Sequence, residues 1–111
     1  VHGGVALGIG NSYYEQLMYD ENGQLLNASF ADYLIPTANE VPRIEVGHEE
    51  TRSPLNELGS KGVGEAGCIP VPALFAQALE DALADYGIEI TETPMSPNKL
   101  FELLKSVKRY E

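Results

Sequence analysis

The sequence predicts an α+β fold: three helices packed on four or five short, mostly antiparallel strands. Three observations predict it. Apolar residues recur at i, i+3 and i+4 in three separate stretches, the signature of amphipathic helices. Residues 43–49 instead alternate apolar with charged or small side chains, the period of a half-buried strand. Asn22-Gly23, set between residues 17–19 and 24–26, is a strong hairpin signal.

The first helix is expected over residues 5–18, where Ala6, Ile9, Gly10, Tyr13 and Leu17 share a face. Gly8 and Gly10 let it lie close to a neighbour while lowering its intrinsic helicity. Asp20 to Gly23 then turn, and residues 17–19 and 24–26 can pair across that turn. Residues 29–35 are a second strand candidate, ended by Pro36, and 43–49 a third, with Ile44, Val46 and His48 directed inward. Residues 52–59 form a loop. Pro72 suits the first turn of a second helix, because its missing N–H has no partner there anyway. Leu74, Phe75, Ala78, Leu79, Ala82, Leu83 and Tyr86 give that helix one broad apolar face, and Gly87 ends it. Ile88-Glu89-Ile90 is a short strand. Ser96-Pro97 then caps and opens a last helix with Leu100, Leu103, Leu104 and Val107 on one side.

A length of 111 residues suits one small domain or part of a larger one, and 43% hydrophobic residues allow a modest core. The net charge of −10 argues against nucleic acid and against an anionic membrane surface. No apolar run is as long as a membrane span. The single cysteine, Cys68, excludes an internal disulfide and cannot ligate an iron–sulfur cluster alone. A cytoplasmic location is expected. The opening VHGGVALGIG, with no initiator Met and no leader features, is expected to be the start of an excised segment.

The chemically suggestive stretch is KGVGEAGCIP, residues 61–70, where Glu65 is the lone carboxylate among glycines. Glycine loses more backbone entropy on folding than any other residue, so such a run implies positive φ or a backbone that must lie against something. From these residues alone, Glu65 is either a solvated loop glutamate or a group presented to chemistry. His2 and His48 have no further ligands at metal spacing, so no protein-held metal site is expected. Cys68 is expected to be a small buried hydrophobe.

Three motifs in order, HGGVALGIG, YDENGQLLNASFADYLIP and SPLNELGSKGVGEAG, resemble the molybdopterin-binding large subunit of the xanthine dehydrogenase/aldehyde oxidase/carbon monoxide dehydrogenase family. The resemblance runs from Val1 to about Val107. It implies that residues 1–111 are the C-terminal portion of that subunit's second molybdopterin-binding domain. The implied activity of the whole enzyme is oxidation of an aldehyde, a nitrogen heterocycle or carbon monoxide, with water as the oxygen source. Glu65 is then the catalytic general base, acting on a hydroxide held by molybdenum. Lys61, Gly62, Val63, Gly64 and Gly8 are the implied cofactor-binding residues. The implied cofactor is molybdopterin in its cytosine dinucleotide form, whose dithiolene holds the metal, with none expected on the isolated chain. Implied partners are the remainder of the large subunit, iron–sulfur and FAD subunits or domains, and a small-molecule substrate, without nucleic acid or membrane. Self-association of the isolated chain through exposed apolar surface is also expected. Two departures stand out: Leu7 where the family usually has a cofactor-holding glutamine, and Glu57 where proline is common. The alternative is a non-catalytic domain that only associates with other subunits.

Overall fold

Helix α1, His2–Ile9, begins earlier and ends sooner than its apolar spacing suggests, in a computed structural model that describes residues 1–107. It runs into a π-helical turn, Gly10–Tyr14, closed by the Glu15 N–H donating to the Gly10 carbonyl at 2.8 Å. The local cause is Ser12. Its wholly buried hydroxyl donates back to the Gly8 carbonyl at 2.5 Å, and such i to i−4 side-chain bonding competes with the helical ladder. The backbone leaves the helical region at Glu15.

The Asn-Gly turn forms as expected. Gly23 sits at φ +79, and Tyr19 and Leu25 pair as an isolated antiparallel bridge. Asp20 Oδ1 accepts the Asn22 and Gln24 N–H groups, each at 2.8 Å. Buried Asn27 clamps the base of the turn, accepting from Met18 N at 3.0 Å and donating to the Gln16 carbonyl.

The expected α+β architecture is not what forms: among the described residues there is no sheet, only this one bridge. Residues 29–33 are a turn, since Ser29 donates its hydroxyl to Asp32 at 3.0 Å while its carbonyl accepts from Asp32 and Tyr33. Serine and aspartate at this spacing offer the backbone local bonds that compete with a ladder. Residues 43–49 form no regular secondary structure, with Val46 and His48 exposed rather than inward. Alternation marks a chain suited to a strand; the ladder itself needs a second strand alongside. Ile88 and Ile90 are both buried and Glu89 exposed, so the alternation holds in burial without any pairing.

Helix α2, Val71–Ala82, carries Pro70 as its cap and Pro72 in its first turn. A 3₁₀ turn, Ala84–Tyr86, follows, and Gly87 stops it in the left-handed region at φ 60. Helix α3, Pro97–Ser106, starts on Ser96, whose side chain accepts from Lys99 N. The core lies between α2 and α3: Ile88, Ile90 and Met95 are buried, packed by Leu79, Leu83, Tyr86, Leu100, Leu103, Leu104 and Val107. The α3 face is therefore as expected, while the α2 face divides, sending Leu79 and Leu83 to this core and Leu74, Phe75 and Ala78 towards α1.

This core is small for the chain. The accessible surface is 8890 Å², against about 6,000 Å² for a compact monomer of this mass. The radius of gyration is 18.0 Å, against about 13 Å for a compact domain of this length. Large apolar side chains stand in the open, Leu55 at 91% and Phe30 at 87% of full exposure. No helix of the described residues is long and apolar enough to cross a membrane.

Candidate active site

Residues 63–70 descend to α2 as a series of tight turns around the Glu65 carbonyl, which accepts from Cys68 N at 3.0 Å and Ile69 N at 3.1 Å. The half-buried Cys68 thiol faces the same oxygen at 3.4 Å. Glycine is not needed here for positive φ: only Gly23, Gly59 and Gly87 have it. Packing explains Gly67. A Cβ on it would lie 2.8 Å from the Val1 carbonyl oxygen and 3.2 Å from Gly4 Cα, so the loop's end presses backbone to backbone on α1. Gly62 and Gly64 have nothing within 4 Å of a Cβ position. The packing of this chain gives no reason for either glycine. An object lying against residues 62–64 would.

Lys61, Gly62, Val63, Gly64 and Glu65 are consecutive and all exposed. The Lys61 ammonium donates to Thr51 Oγ1 at 2.6 Å, a neutral partner, and forms no ion pair among the described residues. Among the described residues no side chain hydrogen-bonds to the Glu65 carboxylate. Upstream, Asn56 closes the preceding loop, accepting from Ser60 N at 2.9 Å and donating to the Ser60 carbonyl at 3.0 Å. Glu57 is exposed on this loop.

Gly8 belongs to a different surface. It is buried, and a Cβ there would lie 2.5 Å from Val71 Cβ, so packing of α1 on the first residue of α2 accounts for it. Leu7 is half-exposed on the same helix. Sequence reasoning missed Gly4, whose Cβ would lie 3.0 Å from Gly67 Cα. The signal was present: Gly4 and Gly8, four apart, lie on one helical face, as close helix packing requires.

Between α1 and α2 lies an apolar groove of about 580 Å³, lined also by Ala66 and Gly67. Tyr13 meets Tyr14 edge-on and Phe75 at a tilt, with ring centroids 4.9 Å and 5.1 Å apart. Burial first, then the nearby Glu40 carboxylate, raises the Tyr14 phenol above its ordinary pKa. Glu40 itself is held below the usual carboxylate range by the Thr37 hydroxyl and N–H, which both donate to it. Elsewhere, a hydrogen bond to Glu15 raises the Tyr33 phenol. Among the described residues no three His, Cys, Asp or Glu side chains stand close enough to hold a metal ion.

The domain family described as "Molybdopterin cofactor-binding domain" matches residues 1–42. The chain is 41% identical over 107 residues to the nicotine 6-hydroxylase large subunit of Paenarthrobacter nicotinovorans, covering 96% of this chain and 13% of that one. It is 34% identical over 103 residues to a putative xanthine dehydrogenase molybdenum-binding subunit of Escherichia coli, covering 92% and 13%. The crystal structure of quinoline 2-oxidoreductase from Pseudomonas putida 86 superposes at a TM-score of 0.91 and 40% identity, over 97% of this chain and 14% of that one. The chain thus spans about one seventh of the length of the proteins it matches. Nearly full coverage of this chain at such identity shows that it belongs to the molybdopterin-binding large-subunit family of xanthine dehydrogenase, aldehyde oxidase and carbon monoxide dehydrogenase.

Proposed function

We propose that this chain supplies the general-base glutamate of a molybdenum hydroxylase that oxidises a nitrogen heterocycle, with water as the oxygen source. The observation that carries the reading is the bare backbone at Gly62 and Gly64 beside an exposed Glu65, whose carboxylate no side chain engages among the described residues. Cβ atoms there would obstruct a ligand cradled against that backbone. Nicotine and quinoline, in the names of two relatives, are both nitrogen heterocycles, which favours that class over aldehydes and carbon monoxide.

The residues fit a pterin cofactor with an anionic tail. Gly62, Val63 and Gly64 would lie against it through the backbone, and the Lys61 ammonium would leave Thr51 for a phosphate, in the cytosine dinucleotide form or a shorter one. Gly8 would hold the cage together from behind, through Val71. When bound, the molybdenum cofactor supplies the two-electron sink that protein side chains lack. Glu65 accepts, at its carboxylate, the proton released as the water-derived oxygen attacks the ring carbon. The tie between Gly67 and Gly4 fixes the loop's end, so that oxygen needs little reorganisation to meet its acceptor. Electrons leave through iron–sulfur and flavin partners, and the assembly works in the cytoplasm.

The test is Glu65→Gln in the complete enzyme, which keeps shape and hydrogen bonding while removing the base. Positioned proton transfer contributes about 10²–10⁴-fold, so turnover falls by at least about 100-fold at unchanged molybdenum content. Near-normal turnover refutes the assignment.

A further inference from the structure

We infer that the groove between α1 and α2 is the seat of an apolar segment from the part of the large subunit outside these 111 residues, and that this segment holds the Glu65 loop in place. The inference rests on the reading of the chain as part of a larger cofactor-binding subunit.

The lining defines the chemistry of the occupant. Val5, Ile9 and Tyr13 form one wall, and Leu74, Phe75 and Ala78 the other. Glu40 is the only charged side chain among the lining residues, and Thr37 already engages it. Apart from Glu40 and the Tyr13 and Tyr14 hydroxyls, the lining offers aliphatic and aromatic surface. A protein segment presenting leucine-like or aromatic side chains matches it.

The size of the exposed surface points to the source of that segment. The chain exposes roughly 2,900 Å² more than a compact monomer of its mass would, well above the roughly 800 Å² that one partner buries in a standard-size interface. The same conformation occurs inside a polypeptide about seven times longer, at a TM-score of 0.91. The rest of such a polypeptide is the body to which the proposal assigns the groove. The occupant also reaches the site. Ala66 and Gly67, the two residues after Glu65, line the groove, and Gly67 lies against Gly4 of α1. A side chain seated in the groove would therefore touch the loop where it meets α1.

Ala78 provides the test, because it is exposed in this chain and lines the groove. In the complete, cofactor-loaded enzyme carrying Ala78→Cys, maleimide labelling is read by peptide mass spectrometry, which separates this thiol from all others. The introduced thiol is expected to react at least about 100-fold more slowly than in the urea-unfolded enzyme, equally so after tenfold dilution. Labelling at the unfolded rate overturns the inference, as does protection that fades on dilution, which would mean a second copy fills the groove. In Ala78→Trp, which overfills the groove, amide exchange across residues 65–69 should rise at least fivefold; unchanged exchange overturns the link to the loop. Glu65→Gln turnover on the same enzyme reports on the base alone, so either reading can fail while the other stands.

Discussion

Replacing Gly8 with alanine should loosen the seam on which the loop rests, whereas the same change at Gly3, in the same helix, should not. At Gly8 the new methyl would lie 2.5 Å from Val71 Cβ, 2.7 Å from its Cγ2 and 2.9 Å from its Cγ1. Val71 is β-branched and helical, so it has one strongly preferred rotamer and cannot swing aside. The helices must separate, and overpacking of this kind costs about 1–3 kcal/mol. Alanine regains up to about 1 kcal/mol of helix propensity at either position. At Gly3 nothing lies within 4 Å of the Cβ position, so only the gain remains. The propensity contributions largely cancel between the variants, leaving a gap of about 1–3 kcal/mol, or roughly 5- to 150-fold in local opening. Hydrogen exchange of the α1 amides in the intact subunit reads that gap directly. Gly8→Ala should exchange at least fivefold faster than Gly3→Ala. Equal rates, or slower exchange in Gly8→Ala, would refute the claim that close helix contact is what requires glycine there.

Gly62→Ala and Gly64→Ala should leave amide exchange of the loop unchanged, because both positions are open within the chain, yet lower molybdenum content and turnover of the complete enzyme. Full cofactor loading in both variants would remove the cradle from the account. The turn at residues 37–40 should loosen in acid. Thr37 holds the folded Glu40 carboxyl below its ordinary value of 4.5, so the turn's stabilisation is complete above that value and is lost as pH falls through the lower, folded one. The Thr37 amide resonance in threonine-labelled protein should titrate with a midpoint below 4.5 and stop titrating in Glu40→Gln. A midpoint at or above 4.5 would contradict the bonded turn.

Features set by neighbours in sequence were legible. Ser96-Pro97 capped a helix, Gly87 took the left-handed stop, Asn22-Gly23 turned a hairpin, and Leu100, Leu103, Leu104 and Val107 packed as one face. What failed was whatever needs a distant partner. Residues 43–49 have the alternation of a strand, but pairing is a property of two segments, and their own periodicity says nothing about the second. Ser29 and Asp32 bent a stretch whose apolar content suggested a strand, because local hydrogen bonds outweighed propensity. At the site, the glutamate was readable as the odd residue in KGVGEAG, but the separate duties of its glycines were not. Gly67 packs while Gly62 and Gly64 stand clear, and only the position of α1 distinguishes them.

The central claim is that Glu65 is presented to the reacting centre rather than to solvent, and a crystal structure of the complete cofactor-loaded enzyme tests it most directly. The account predicts a Glu65 carboxylate oxygen within hydrogen-bond reach, about 2.6–3.2 Å, of the group that loses its proton, with Gly62 and Gly64 lying against the cofactor. A fully loaded enzyme in which the Glu65 side chain points away from the cofactor, with residues 62–64 touching only protein or solvent, would contradict it.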